Sequence, residues 1–193
     1  MRKFAKAIRV LTIPPFMVAA LLTVLFFFDD VFPSGGDFWL ALAFLAVVPV
    51  LAYPFQKLFP RLAAKGRSMQ RKLAFIFSFL GYGAAVATSI LRDAVPNLLY
   101  ISVVYLISVV TLTVFNCLTP WHASGHACSI AGPILLICLF IGWYAIPVGT
   151  LIFAASFWAS VYMKRHTVRE FLLGALCAGI AGLVTYFLVH PVF

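Results

Sequence analysis

Seven apolar stretches follow one another along the chain, and each approaches the length that crosses a lipid bilayer. They cover residues 10–28, 38–55, 73–91, 97–116, 127–143, 147–163 and 170–189. A transmembrane helix needs about 20 apolar residues, because each adds about 1.5 Å toward a hydrocarbon layer of about 30 Å. Only 10% of the residues are charged and 64% are hydrophobic, too few polar groups to cover a water-soluble surface. We therefore predict an all-α polytopic membrane bundle of about seven (six to seven) transmembrane helices, forming one domain over residues 1–193.

The basic residues are sorted to one face of this predicted bundle. If successive helices alternate in direction, the N-terminus and segments 56–72, 117–126 and 164–169 share one face, which we call side A. Thirteen of the fourteen Lys and Arg residues then lie on side A, and only Arg92 does not. Four of the five acidic residues lie on the opposite face: Asp29, Asp30, Asp37 and Asp93. The positive-inside rule predicts a multi-pass cell-membrane protein with side A and the N-terminus in the cytoplasm and the C-terminus opposite.

The N-terminal bases resemble the start of a signal peptide, but the stretch after them does not. Arg2, Lys3, Lys6 and Arg9 precede an apolar run that continues to Phe28 with no small-residue cleavage site behind it. This pattern predicts a retained first helix. We interpret the four bases as topology signals, without a part in ligand binding.

The net charge of +9 predicts anionic partners. Nucleic acid requires a soluble basic surface, whereas these charges occupy short gaps between apolar runs. We therefore expect membrane lipids and a phosphorylated substrate as partners, and no nucleic acid.

Three histidines and the single glutamate are the candidate catalytic groups, because polar residues are scarce. His122, His126 and His166 all lie at side A ends of predicted helices, and Glu170 follows His166 by four residues, on the same face of a helix start. A neutral His166 with Glu170 on its other ring nitrogen could attack phosphorus, and His126 could protonate the leaving oxygen. His122 is more simply an interfacial residue, and Trp121 beside it an interface anchor.

The side A loops could also hold the phosphate. Two helices begin there, and helix N-termini favour anions. The basic loop between the second and third stretches contributes further cations, although topology and headgroup contact alone could explain most of them. The expected phosphate contacts are Lys65, Arg71, Lys72, Ser124, Gly125 and Arg165.

A zinc site is the weaker alternative at the same place. Cys117, His122, His126 and Cys128 are close in sequence, but their spacing is not a regular ligand pattern and Glu170 would be left unused. We predict no metal and no other cofactor.

Two segments resemble signatures of the type 2 phosphatidic acid phosphatase superfamily. Ser124-Gly125-His126 is similar to its Pro-Ser-Gly-His signature. The stretch from Ser160 to Gly174 resembles its Ser-Arg-x5-His-x3-Asp signature, and the helical hairpin between the two also matches. The resemblance covers about residues 65–180. It implies that His126 is a general acid, that His166 becomes transiently phosphorylated, and that Glu170 orients His166.

The chain departs from these signatures at several positions. The first signature, Lys-x6-Arg-Pro, has only a loose match from Lys65 to Leu73, and Ala123 replaces the proline of the second. Ser160 occupies the position of an arginine, and serine cannot make a bidentate phosphate contact. Three functions therefore remain open.

The first is a metal-independent phosphatase or phosphotransferase acting on a lipid phosphate of the polyprenyl (di)phosphate or phosphatidate type. The second is a non-catalytic lipid-phosphate binder or transporter on the same fold. In the third, the side A cluster serves only membrane topology.

Overall fold

The computed structural model describes residues 1–28, 31–32, 34–93 and 96–190. Asp29 and Asp30, which we predicted to lie on the face opposite side A, are outside the described residues. The helices are α1 (Arg2–Leu11), α2 (Pro14–Phe28), α3 (Gly35–Leu42), α4 (Val48–Leu58), α5 (Pro60–Ala63), α6 (Gly66–Leu91), α7 (Pro96–Leu118), α8 (Gly125–Ile141), α9 (Ile146–Tyr162) and α10 (Val168–Leu188). A π-helical turn (Ala43–Val47) joins α3 to α4, and a 3-10 turn (Trp143–Ala145) precedes α9.

The predicted membrane bundle of about seven helices is consistent with these elements. Among the described residues, five helices are long and apolar enough to cross a membrane: Gly35–Leu58, α6, α7, Trp143–Tyr162 and α10. Helices α1 and α2 together form a sixth candidate, and α8 is a shorter apolar helix of 17 residues. Large apolar side chains such as Leu80 and Leu183 are exposed on the outside of the bundle, as expected where lipid is the solvent.

The first predicted stretch, 10–28, corresponds mainly to α2, and a separate helix, α1, precedes it. The chain bends by 54° between α1 and α2, just before the pair Pro14-Pro15. Proline lacks the N–H that would continue the α1 ladder, but it suits the first positions of a new helix. The inner side of α1 buries Ala5 and Thr12, whereas its bases Arg2, Lys3 and Lys6 are exposed. Helix α1 is therefore an amphipathic segment that packs against α9.

One end of the bundle brings Arg92 and Asp37 together. An Arg92 guanidinium nitrogen lies 3.4 Å from Asp37 Oδ1. Beneath this ion pair, the hydroxyls of Ser89 and Ser102 are 3.4 Å apart. Both charged residues were assigned to the face opposite side A, and the ion pair places the start of α3 beside the end of α6.

Candidate functional site

The two predicted catalytic turns are joined at the starts of α8 and α10. The backbone N–H of Ser124 donates to the carbonyl oxygen of Glu170 at 2.8 Å. The Arg169 guanidinium carbon lies 3.5 Å from the centre of the Trp121 ring, a cation–π contact. The absence of a side chain at Gly174 permits this approach, because a Cβ there would overlap the Ser124 carbonyl oxygen. Segments about 45 residues apart in sequence therefore share one end of the bundle.

The N-cap of α8 fixes the position of His126. The Ser124 hydroxyl oxygen accepts a hydrogen bond from the backbone N–H of Ala127 at 3.2 Å, the usual cap arrangement. His126 is half-buried on the first turn, and its Nε2 lies 3.5 Å from Thr12 Oγ1. The ring therefore faces the junction between α1 and α2.

A capping box fixes His166 and Glu170. Glu170 N–H donates to Thr167 Oγ1 at 3.2 Å, and Thr167 N–H donates to Glu170 Oε2 at 2.9 Å. The same Oε2 is 3.6 Å from Nδ1 of His166, an ion-pair distance and longer than a direct hydrogen bond. The Glu170 carboxylate thus has two partners, the Thr167 N–H at the start of α10 and the imidazole of His166. The other ring nitrogen of His166, Nε2, is turned away from the carboxylate.

Nearby charges act on His166 in opposite directions. Partial burial and the Arg9 guanidinium lower the pKa of His166 below its usual 6.5, Glu170 acts to raise it, and Arg71 lowers it again. The net effect is a lower pKa, which favours the neutral imidazole at pH 7. A neutral nitrogen is what nucleophilic attack requires.

Arg9 lies at this site, contrary to its interpretation as a topology signal alone. It is close enough for its charge to act on both His126 and His166, and these two histidines act on each other. Its position follows from the bend after α1, which directs the inner face of that helix toward α8 and α9. The Arg9–Thr12 spacing followed by two prolines was the available signal, because it places both polar groups on one face of a short helix.

The other expected phosphate contacts divide into two groups. The charge of Arg71 reaches His166, and the charge of Arg165 reaches Arg9. Lys65 and Lys72 are exposed, and no contact joins either of them to the site within the described part of the chain.

The two helix-start residues are occupied by structural contacts. The Ser124 side chain is only 2% exposed and its oxygen caps α8. Gly125 faces Leu112 of α7, where a Cβ would lie 3.4 Å from Leu112 Cδ2. Ser124 therefore positions His126, and neither residue presents a side chain to a ligand.

Ser160 is fully buried, at 0% exposure, and does not reach the site surface. Its hydroxyl has no hydrogen-bond partner among the described residues. Its carbonyl oxygen accepts from the backbone N–H of Arg165 at 3.0 Å, which closes the turn after α9. Among the described residues, no three His, Cys, Asp or Glu side chains are grouped so as to hold a metal ion.

An open basic groove of about 550 Å³ lies between α1 and the turn after α9. Arg2, Tyr162, Met163, Lys164 and Arg165 line it. Arg165 of this groove is also one of the cations whose charge reaches Arg9.

Comparisons of this chain with protein-family models, curated proteins and solved structures found no match.

Proposed function

We propose that this protein is a membrane-embedded, metal-independent phosphatase or phosphotransferase that acts on a lipid phosphate. The observation that carries the proposal is the junction of the two helix starts, where His126 and His166 lie within electrostatic range of each other and of Arg9. This combination offers a nucleophile, a proton donor and cations for a phosphate. The resemblance to the type 2 phosphatidic acid phosphatase superfamily supports the same assignment.

In the proposed reaction, Nε2 of His166 attacks phosphorus while the bond from phosphorus to the lipid oxygen breaks. Glu170 stabilises the positive charge that develops on the imidazole, because it lies beside Nδ1. His126 gives its proton to the departing lipid oxygen. Burial and the charge of Arg9 disfavour the protonated form of His126 in the free protein, whereas a bound phosphate acts in the opposite direction. We therefore propose that His126 takes up its proton when the substrate binds. Water, or another acceptor hydroxyl, then takes the phosphoryl group from His166 and returns a proton to His126.

The test is phosphate release from phosphatidate or a polyprenyl phosphate by the purified protein, with a chelator present. His166→Ala is expected to abolish release. The matched control is His122→Ala, because His122 is exposed in the turn before α8 and should be dispensable. Full activity of His166→Ala would exclude the proposed nucleophile.

The second candidate is a non-catalytic lipid-phosphate binder or transporter. The burial of Ser160 favours it, because the position of the superfamily's arginine contributes no phosphate contact here. Saturable binding of a labelled lipid phosphate without any release of phosphate would select this function over the first. The proposed cytoplasmic location of the site can be tested separately, by labelling single cysteines at side A positions in intact and permeabilised cells.

A further inference from the structure

Arg9 has a buried hydrogen-bond donor with nothing to bind. Its Nη1 atom is inaccessible to solvent and has no partner among the described residues. A buried donor without an acceptor is costly, more so when the group is charged. In this respect Arg9 differs from the exposed Arg2, Lys3 and Lys6 of the same helix.

The charges around Arg9 make its position more unfavourable. Arg67 and Arg165 are the cations whose charges reach it, and His126 and His166 are the titratable groups that it acts on. Of the described acidic residues, only Glu170 belongs to this site, and its carboxylate is engaged by the Thr167 N–H and by His166. Several cations that repel one another around a buried donor are best compensated by an anion.

Helix α1 holds Arg9 in this place. Thr12, one turn later, donates to the Ile8 carbonyl at 2.9 Å and lies 3.5 Å from His126. On the α9 side, the Phe4 ring contacts Trp158 with centroids 6.2 Å apart. The helix is therefore anchored at both ends, and Arg9 faces inward between them.

We propose that Arg9 anchors the anion, with its buried guanidinium nitrogen donating to a phosphate oxygen held between His126 and His166. The N-terminal helix α1 thereby completes a site whose other residues come from α8 and the turn before α10. The ligand is a phosphate-class anion, either a lipid headgroup or free phosphate. The inference rests on the proposed function for the position of the phosphate, but it does not require turnover.

The test measures binding of inorganic phosphate and of a short-chain phosphatidate to the full-length protein in detergent. Arg9→Gln is expected to weaken binding by about tenfold or more, because a charge-assisted hydrogen bond is lost. Lys3→Gln is the matched control, since it removes the same charge from the exposed side of the same helix and should leave binding unchanged. Loss with phosphatidate alone would assign the site to a lipid headgroup, and loss with both probes to phosphate in general. Equal affinity of Arg9→Gln and Lys3→Gln would overturn the inference.

A second measurement uses the unaltered protein, so that it does not depend on the folding of a variant. A ligand that binds the folded protein raises the midpoint of thermal unfolding. Millimolar phosphate is expected to raise this midpoint relative to chloride at the same ionic strength, because it compensates the buried Arg9 donor. An equal midpoint in phosphate and in chloride would contradict the inference.

The two hypotheses can fail separately. Binding that depends on Arg9 without any phosphate release would refute the phosphatase and leave the anchor in place. Phosphate release with an unchanged KM in Arg9→Gln would refute the anchor and leave the phosphatase.

Discussion

Gly174→Ala tests whether the contact between α10 and α8 sets the geometry of the site. The new methyl group would overlap the Ser124 carbonyl oxygen and would lie 3.0 Å from Ala127 Cβ. The carbon–carbon distance alone is roughly 0.5–1 Å shorter than the optimal separation. Neither obstacle is the end of a flexible side chain, so the two helix starts must move apart.

The expected effect on activity is larger than the effect on stability. Parting the helices by up to about 1 Å takes the 2.8 Å bond between Ser124 and Glu170 beyond the usual hydrogen-bond range of about 3.2 Å. Overpacking of this kind costs about 1–3 kcal/mol, partly offset by the roughly 1 kcal/mol by which alanine favours a helix over glycine. A misplacement of about 1 Å between reacting groups can lower a rate on the order of a hundredfold.

The assay compares phosphate release and the midpoint of thermal unfolding for Gly174→Ala and two controls. Gly179→Ala and Gly182→Ala are in the same helix, and a Cβ at either position would meet nothing within 4 Å. The controls should keep full activity and unfold at the same temperature or slightly higher. If Gly174→Ala releases phosphate as fast as the controls, the close approach of the two helix starts is not needed for the reaction.

Two further predictions concern the charge around His166 and the buried hydroxyl in α9. Arg71 lowers the pKa of His166, so Arg71→Gln should raise that pKa and move the acid limb of the pH–kcat/KM profile to higher pH. The difference between the two profiles should shrink as salt screens the exposed charge of Arg71. An acid limb that does not move would contradict the assignment of this limb to His166. Ser160→Ala should raise stability by about 1 kcal/mol, because it removes a buried hydroxyl without a partner. Ser160→Arg, which introduces the superfamily's residue, should destabilise the protein at a fully buried position, and a stable, more active Ser160→Arg variant would refute this account.

The helices could be predicted from the sequence because the bilayer imposes one simple requirement, a long apolar run, on every spanning segment. The helix starts at Gly125 and Val168 could also be anticipated, since Ser124 and Thr167 are good N-cap residues. The π-helical turn at Ala43–Val47 could not, because no local signal marks it. Gly81 of α6 packs directly against this turn, because a Cβ at Gly81 would overlap the Phe44 carbonyl oxygen. The turn therefore coincides with a contact between segments that are distant in sequence.

The candidate site could be predicted only in part for a related reason. His126, His166 and Glu170 follow local patterns, whereas the position of Arg9 depends on a bend and on which helices pack together. Positive charge near a membrane helix ordinarily signals orientation, and only the fold distinguishes a base that faces inward from one that faces water. The sequence indicated Ser124 as a phosphate contact, whereas in the fold its side chain caps α8.

The short length of α8 bears on how deep His126 lies in the bilayer. Its 17 residues rise about 25 Å, roughly 5 Å less than the hydrocarbon thickness of a typical bilayer. At its far end, the exposed and stacked rings of Trp143 and Tyr144 are suited to one membrane boundary. If those rings sit at that boundary, His126 lies about 5 Å short of the opposite one, and the headgroup of a substrate must reach that depth. Thin membranes should therefore present the substrate more readily than thick ones.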